Sequence, residues 1–104
     1  MSNAEVARVE LESISTTSEV MSFARSANPK IDRAALRGFR ITTASSLNFR
    51  KLPSMKSEIA ATLPIGSLVE VLGGSIKSWL FVEVEIDGEL KQGWISRRYT
   101  TYFK

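Results

Sequence analysis

Residues 79–86 read as one strand, and from Val82 to Ile86 apolar and acidic residues alternate without a break. Leu80, Val82, Val84 and Ile86 fall on one face, and Glu83 and Glu85 on the other. Period-two alternation of this length is the pattern of a strand buried on one side. Asp87-Gly88 follows directly. A two-residue type I′ turn needs positive φ at both central positions, and Asp-Gly supplies them at low cost. Glu89 to Ser96 then returns as the partner strand. A chain with this hairpin at its centre folds around an antiparallel sheet.

Weaker signals extend the sheet on the N-terminal side. Phe39 to Thr43 is rich in β-formers. Ile59 to Leu63 reads as a strand that enters a turn at Pro64-Ile65-Gly66. Leu68 to Leu72 reads as another, with Val69 and Val71 inward and Glu70 outward, broken by Gly73-Gly74. Short strands at this spacing make a small barrel or sandwich.

Before Gly38 the pattern changes. Residues 5–15 are ambiguous, since Ala7, Leu11 and Ile14 fit a helix face while Val9 and Leu11 fit alternation; helix is the weakly preferred reading. Thr16-Thr17-Ser18-Glu19 has the form of a capping box. Val20, Phe23, Ala24 and Ala27 follow at helical spacing. Asn28-Pro29 ends that helix and is placed to start a second, with Asn28 as N-cap. Ile31, Ala34, Ala35 and Leu36 would carry it to Gly38. The apolar stripes are expected to pack on each other or on the barrel. The expected organisation is a helical extension over 1–38 and a barrel over 39–104. Ser2-Asn3-Ala4 reads as a remnant of an expression vector, which would make the chain a piece of a longer protein.

The chain has no cysteine and no histidine. Disulfides, Cys/His zinc sites and nucleophilic catalysis assisted by histidine are excluded together. Glu83 and Glu85 share a strand face, but a carboxylate pair beside a turn is ordinarily solvated, and no enzyme is expected. No cofactor and no metal are expected either. No apolar run approaches the ~20 residues that span a bilayer. No secretory leader is visible; the cell envelope is the expected location for a piece of a secreted protein, and the cytoplasm otherwise. The net charge is +3, but from Arg25 to Lys56 eight cations face one acid, Asp32. Lys30, Arg33 and Arg37 would share one side of the second helix. With Arg50, and with Phe39 and Phe49 interleaved, they are an alternative site for nucleic acid or another polyanion.

Several blocks together carry a resemblance. Leu47-Asn48-Phe49-Arg50 with Pro53-Ser54 resembles the opening pattern L-N-V-R-x-G-P-S of bacterial SH3 domains. Ile59 to Leu72 resembles the family's I-x-x-L-x-x-G-x-x-V-x-V-L block. Trp79 with Val82, and Gly93-Trp94-Ile95-Ser96 with Tyr99, resemble its W-x-x-V and its closing G-W-V-S-x-x-Y. The order and spacing agree over about 60 residues, from about Phe39 to Tyr102. Two positions depart: Leu52 stands where the pattern has glycine, and Phe49 where it has valine. Residues 1–38 lie outside the resemblance.

The resemblance implies a mainly β fold, a small SH3-like barrel preceded by one or two short α-helices. It also implies a non-catalytic binding module. Many members accompany cell-wall hydrolases and are thought to recognise peptidoglycan cross-bridges; others bind partner-protein peptides. In SH3-like barrels the closing tyrosine and the tryptophan that opens a central strand flank a peptide groove. The implied ligand residues are Trp79 and Tyr99, and Asn48 and Tyr102 are further candidates. Trp79 otherwise covers the helices, and Asn48 otherwise bonds its own loop. Trp94 is expected in the core. A further alternative is structural: helices and barrel together present a docking or oligomerisation surface to another part of the parent protein or to a second copy.

Overall fold

A computed structural model describes residues 1–26 and 29–104. Among these, two short α-helices precede a sheet of seven strands. The helices are α1 (Asn3–Leu11) and α2 (Thr17–Arg25). The strands are β1 (Phe39–Thr42), β2 (Ser46–Arg50), β3 (Ile59–Pro64), β4 (Leu68–Val71), β5 (Trp79–Ile86), β6 (Glu89–Ser96) and β7 (Thr100–Tyr102). Their order is β3-β2-β6-β5-β4-β1-β7, and all recorded pairings are antiparallel. The sheet curls into an SH3-like half-barrel.

The β5–β6 hairpin forms as its turn chemistry dictates. Asp87 has φ 52° and Gly88 φ 81°, both left-handed. The register runs without interruption from Ile86↔Glu89 to Trp79↔Ser96. Leu80, Val82 and Val84 are buried, with Ile86 packed beside them. Together with Leu47, Phe49, Leu63, Val69 and Ile95 they fill the barrel.

A second core lies on the other face of β1 and β4. Ile41 and Leu68 point away from the barrel interior and meet Ala7 and Leu11 of α1, Val20 and Ala24 of α2, and Ile31 and Leu36. Strand β4 is thus buried on both faces, Leu68 beneath the helices and Val69 in the barrel. The preferred helical reading of 5–15 agrees with α1: Ala7 and Leu11 face this core, while Val9 is exposed. Its cap is Ser2, which accepts from Glu5 N–H, while Glu5 accepts from the Ser2 backbone. The Thr16–Glu19 motif caps α2 in altered form. Thr16 Oγ1 accepts from Glu19 N–H at 3.1 Å, but Glu19 reaches back to Ser15 N–H and to the Thr16 hydroxyl. Thr17 Oγ1 donates to Thr43 O at 2.7 Å, and Lys104 N–H donates to Ala24 O at 3.0 Å, tying α2 to the strands.

The second helix needs correction. Ala27 and Asn28 lie outside the described residues. Beyond them the chain makes a single 3-10 turn, Arg33–Leu36. Its cap is Asp32, whose carboxylate accepts from Ala34 N–H at 3.0 Å. Such a local side-chain bond competes with a longer α-helix. Lys30 therefore precedes the turn, and Lys30, Arg33 and Arg37 do not form one helical stripe.

Trp94 is also corrected. Ile95 is fully buried, and Trp94 is half-buried on the outer face. It lies opposite Phe81 in the register, with ring centroids 5.0 Å apart. Strand alternation allows only one of Trp94 and Ile95 to face inward.

Candidate ligand cleft

Three of the four ligand residues expected from the family pattern meet in one place. Trp79 at the start of β5, Tyr99 after β6 and Asn48 on β2 line a cleft of about 260 Å³. Leu47, Met55 and Ser96 complete its main walls. Among the described residues, none from α1 or α2 lines it, so Trp79 faces this cleft and not the helices.

Strand geometry explains the assembly. Trp79 pairs with Ser96, so both sit at the open end of the hairpin, away from the Asp87-Gly88 turn. A 3-10 turn over Arg97–Tyr99 follows at once and swings Tyr99 back towards β5. Arg97 N–H donates to Ser78 O at 2.8 Å and holds that turn against the start of β5. Asn48 alternates outward between the buried Leu47 and Phe49.

Three polar tips at this cleft are unspent. Among the described residues, the Asn48 carboxamide, the Trp79 indole N–H and the Tyr99 hydroxyl make no intramolecular hydrogen bond. Asn48 does not bond its own loop, the other reading open from the sequence. Tyr99 is 42% exposed, with the Arg98 guanidinium 5.7 Å from its ring centre. Two aromatic side chains and a carboxamide in one cleft suit an extended chain whose ordering entropy is already low.

Tyr102 lies elsewhere. Its ring stacks under the Arg40 guanidinium at 5.2 Å and lines a separate cleft beyond β1.

The residues suggested for a polyanion scatter as well. Arg33 donates to the carbonyls of Lys104 and Arg25. Arg50 is 6% exposed and donates to Met55 O at 3.1 Å and Ser57 O at 2.9 Å. Phe49 is buried, and Phe39 packs against the helical core. Lys30, Arg33, Arg37 and Arg50 are not gathered on one surface by any element.

Sequence reasoning missed Met55 and Ser96. Ser96 was reachable, because a two-residue turn fixes its pairing with Trp79. Met55 was not, because it rides on the 51–58 loop, whose path Arg50 sets through backbone carbonyls. Leu52, in the place of the family's glycine, has no positive φ, so this loop does not call for a glycine there.

A larger cleft of about 520 Å³ lies at the seam between α1 and the sheet, lined by Leu11, Ile14, Ile65, Val84 and others. Among the described residues that line it there is no aromatic side chain. The aromatic cleft is smaller but chemically better furnished for recognition.

No curated protein matches this sequence. The family model described as the bacterial SH3 domain matches residues 45–101, which span β2 to β7 and both aromatic walls of the cleft. With that match over more than half of its length, and with the curled sheet that carries it, the chain belongs to the bacterial SH3 domain family.

Proposed function

We propose that this domain binds an extended peptide in the cleft walled by Trp79 and Tyr99. Domains of the family are generally non-catalytic binding modules. The observation that supports a peptide ligand is the convergence of Trp79, Tyr99 and Asn48 with their polar tips unengaged. The ligand is a peptidoglycan cross-bridge peptide or a segment of a partner protein. Both offer alternating backbone donors and acceptors to Asn48, and flat or prolyl surfaces to the rings.

The polyanion reading draws less support. Two of its four cations, Arg33 and Arg50, already spend their guanidinium donors on backbone carbonyls.

A chemical-shift titration of labelled protein tests the proposal, with soluble peptidoglycan fragments in one arm and proline-rich peptides in the other. Saturable shifts at the Trp79 indole, Tyr99 and the Asn48 side chain are expected in one arm, and Trp79→Ala should abolish them. An aromatic wall residue of this kind typically contributes at least ~2 kcal/mol, or roughly 30-fold in affinity. Shifts that avoid all three residues in both arms would overturn it.

A further inference from the structure

The cleft beyond β1, of about 550 Å³, is lined by Arg37, Arg40, Arg97, Tyr102 and Ser75 among others. Among the described residues that line it are three arginines and no acidic residue. Among the described residues none of the three forms an ion pair with a carboxylate. The acid on the adjacent strand is Glu70. It pairs with Phe39 at the edge of the cleft and is not among the residues that line it.

Arg40 is the most constrained of the three. It is half-buried, with its guanidinium over the Tyr102 ring and one hydrogen bond to Thr100 Oγ1 at 3.2 Å. The Thr100 hydroxyl donates in turn to Arg97 O at 2.8 Å, which fixes it as an acceptor for Arg40. The remaining Arg40 donors have no protein partner among the described residues. Burial, and secondarily the charge of Arg97, lower the Arg40 pKa from its ordinary value. A half-desolvated cation beside a like charge is held at an electrostatic cost that a bound anion removes.

We propose that this cleft binds an oxyanion, a phosphate or carboxylate group, through the guanidinium groups of Arg37, Arg40 and Arg97. The guanidinium fork matches two oxygens of either group. The Tyr102 ring holds Arg40 in place through its face. The site is distinct from the aromatic cleft and does not depend on what that cleft binds. The two adjoin across one turn, since Ser96 and Tyr99 line the first and Arg97 the second.

The test follows the arginine Nε–Hε resonances of the full chain during titration with inorganic phosphate, with acetate, and with chloride at matched ionic strength. Saturable shifts at Arg37, Arg40 and Arg97 with phosphate or acetate are expected, and the stronger of the two identifies the group. Arg97→Gln should weaken binding about 10- to 100-fold, the loss of one charge-assisted contact. Arg97 is exposed, so this variant leaves both cores intact. Arg40→Gln should abolish binding, and its thermal midpoint, read alongside, reports whether it is folded. Equal shifts with chloride, shifts shared evenly with Arg8 and Arg25, or undiminished binding in Arg97→Gln would each overturn the proposal.

Discussion

The ring of Phe49 rests on the bare α-carbon of Gly93. A Cβ at position 93 would fall 2.6 Å from Phe49 Cζ and 2.9 Å from the Arg50 carbonyl oxygen. The first contact is with a buried ring and the second with backbone, so neither gives way cheaply. Gly93→Ala is therefore expected to destabilise the barrel by about 1–3 kcal/mol or more, the usual cost of overpacking. Equilibrium urea unfolding measures it. Phe49→Val, which restores the residue of the family pattern, should recover part of the loss in the double variant. The Arg50 carbonyl remains in contact, so recovery should be incomplete. A fully additive double-mutant cycle would show that Phe49 and Gly93 are not coupled.

Arg50 joins the barrel core to the loop that carries Met55. It is buried, among the described residues it has no carboxylate partner, and its charge is met by the carbonyls of Met55 and Ser57. Arg50→Met keeps much of the apolar stem and removes both bonds. A loss of about 1.5–3 kcal/mol is expected, the range for hydrogen bonds to a charged group. The local effect should be larger than the global one. Backbone amides of Leu52, Lys56 and Ser57 are bonded within the 51–58 loop, and their hydrogen exchange should accelerate most. Uniform acceleration across the sheet would mean that Arg50 acts on overall stability and not on the loop.

What could be read from the sequence depended on how local each signal was. The β5–β6 hairpin was legible because Asp87-Gly88 and the alternation from Val82 to Ile86 say the same thing at two levels. The same turn also fixed Trp94. Counting back from Ile86↔Glu89 places Trp94 opposite Phe81, on the face away from Leu80 and Val82. Trp94 and Ile95 could not both face inward, and register decided for Ile95. The second helix was misread because Pro29 and the apolar residues after it fit a helix as well as a turn. The Asp32 carboxylate, bonding two residues ahead, decided for the turn. In the cleft, Trp79, Tyr99 and Asn48 were visible through the family pattern. Met55 was hidden because its position depends on a tertiary bond from Arg50. The pairing of Arg40 with Tyr102 was hidden for a related reason: their partnership exists only in the β1–β7 register.

The helical segment shares a core with the sheet, and this has a measurable consequence. Leu11 and Val20 pack with Ile41 and Leu68, which belong to strands. Both tryptophans, Trp79 and Trp94, lie in the barrel. Leu11→Ala is expected to cost about 2–5 kcal/mol, the range for truncating a buried leucine. The loss should appear in the tryptophan fluorescence transition as well as in the far-UV helical signal, at one common midpoint. A helical signal that melts earlier while the tryptophan transition stays put would show two independent units.

Acid should weaken the fold partly through the cap of α2. The Thr16 hydroxyl, and then the Ser15 N–H, hold the Glu19 carboxylate below its ordinary value of 4.5. A carboxylate depressed in the folded state contributes stability that is complete above its unfolded pKa and is lost as pH falls through the folded value. The Glu19 contribution should therefore be intact at neutral pH and disappear below about 4.5. Glu5, held down chiefly by the Ser2 backbone N–H, and Glu58, held down chiefly by Lys51, act in the same direction. Unfolding midpoints measured from neutral to acid pH should fall less steeply in Glu19→Gln than in the parent chain. The difference should persist at high salt, because Glu19 is held by uncharged donors, whereas the exposed Lys51–Glu58 contribution should be screened. An unchanged slope in Glu19→Gln would mean that α2 is fixed by its packing on Ile41 and Leu68 and owes nothing measurable to its cap.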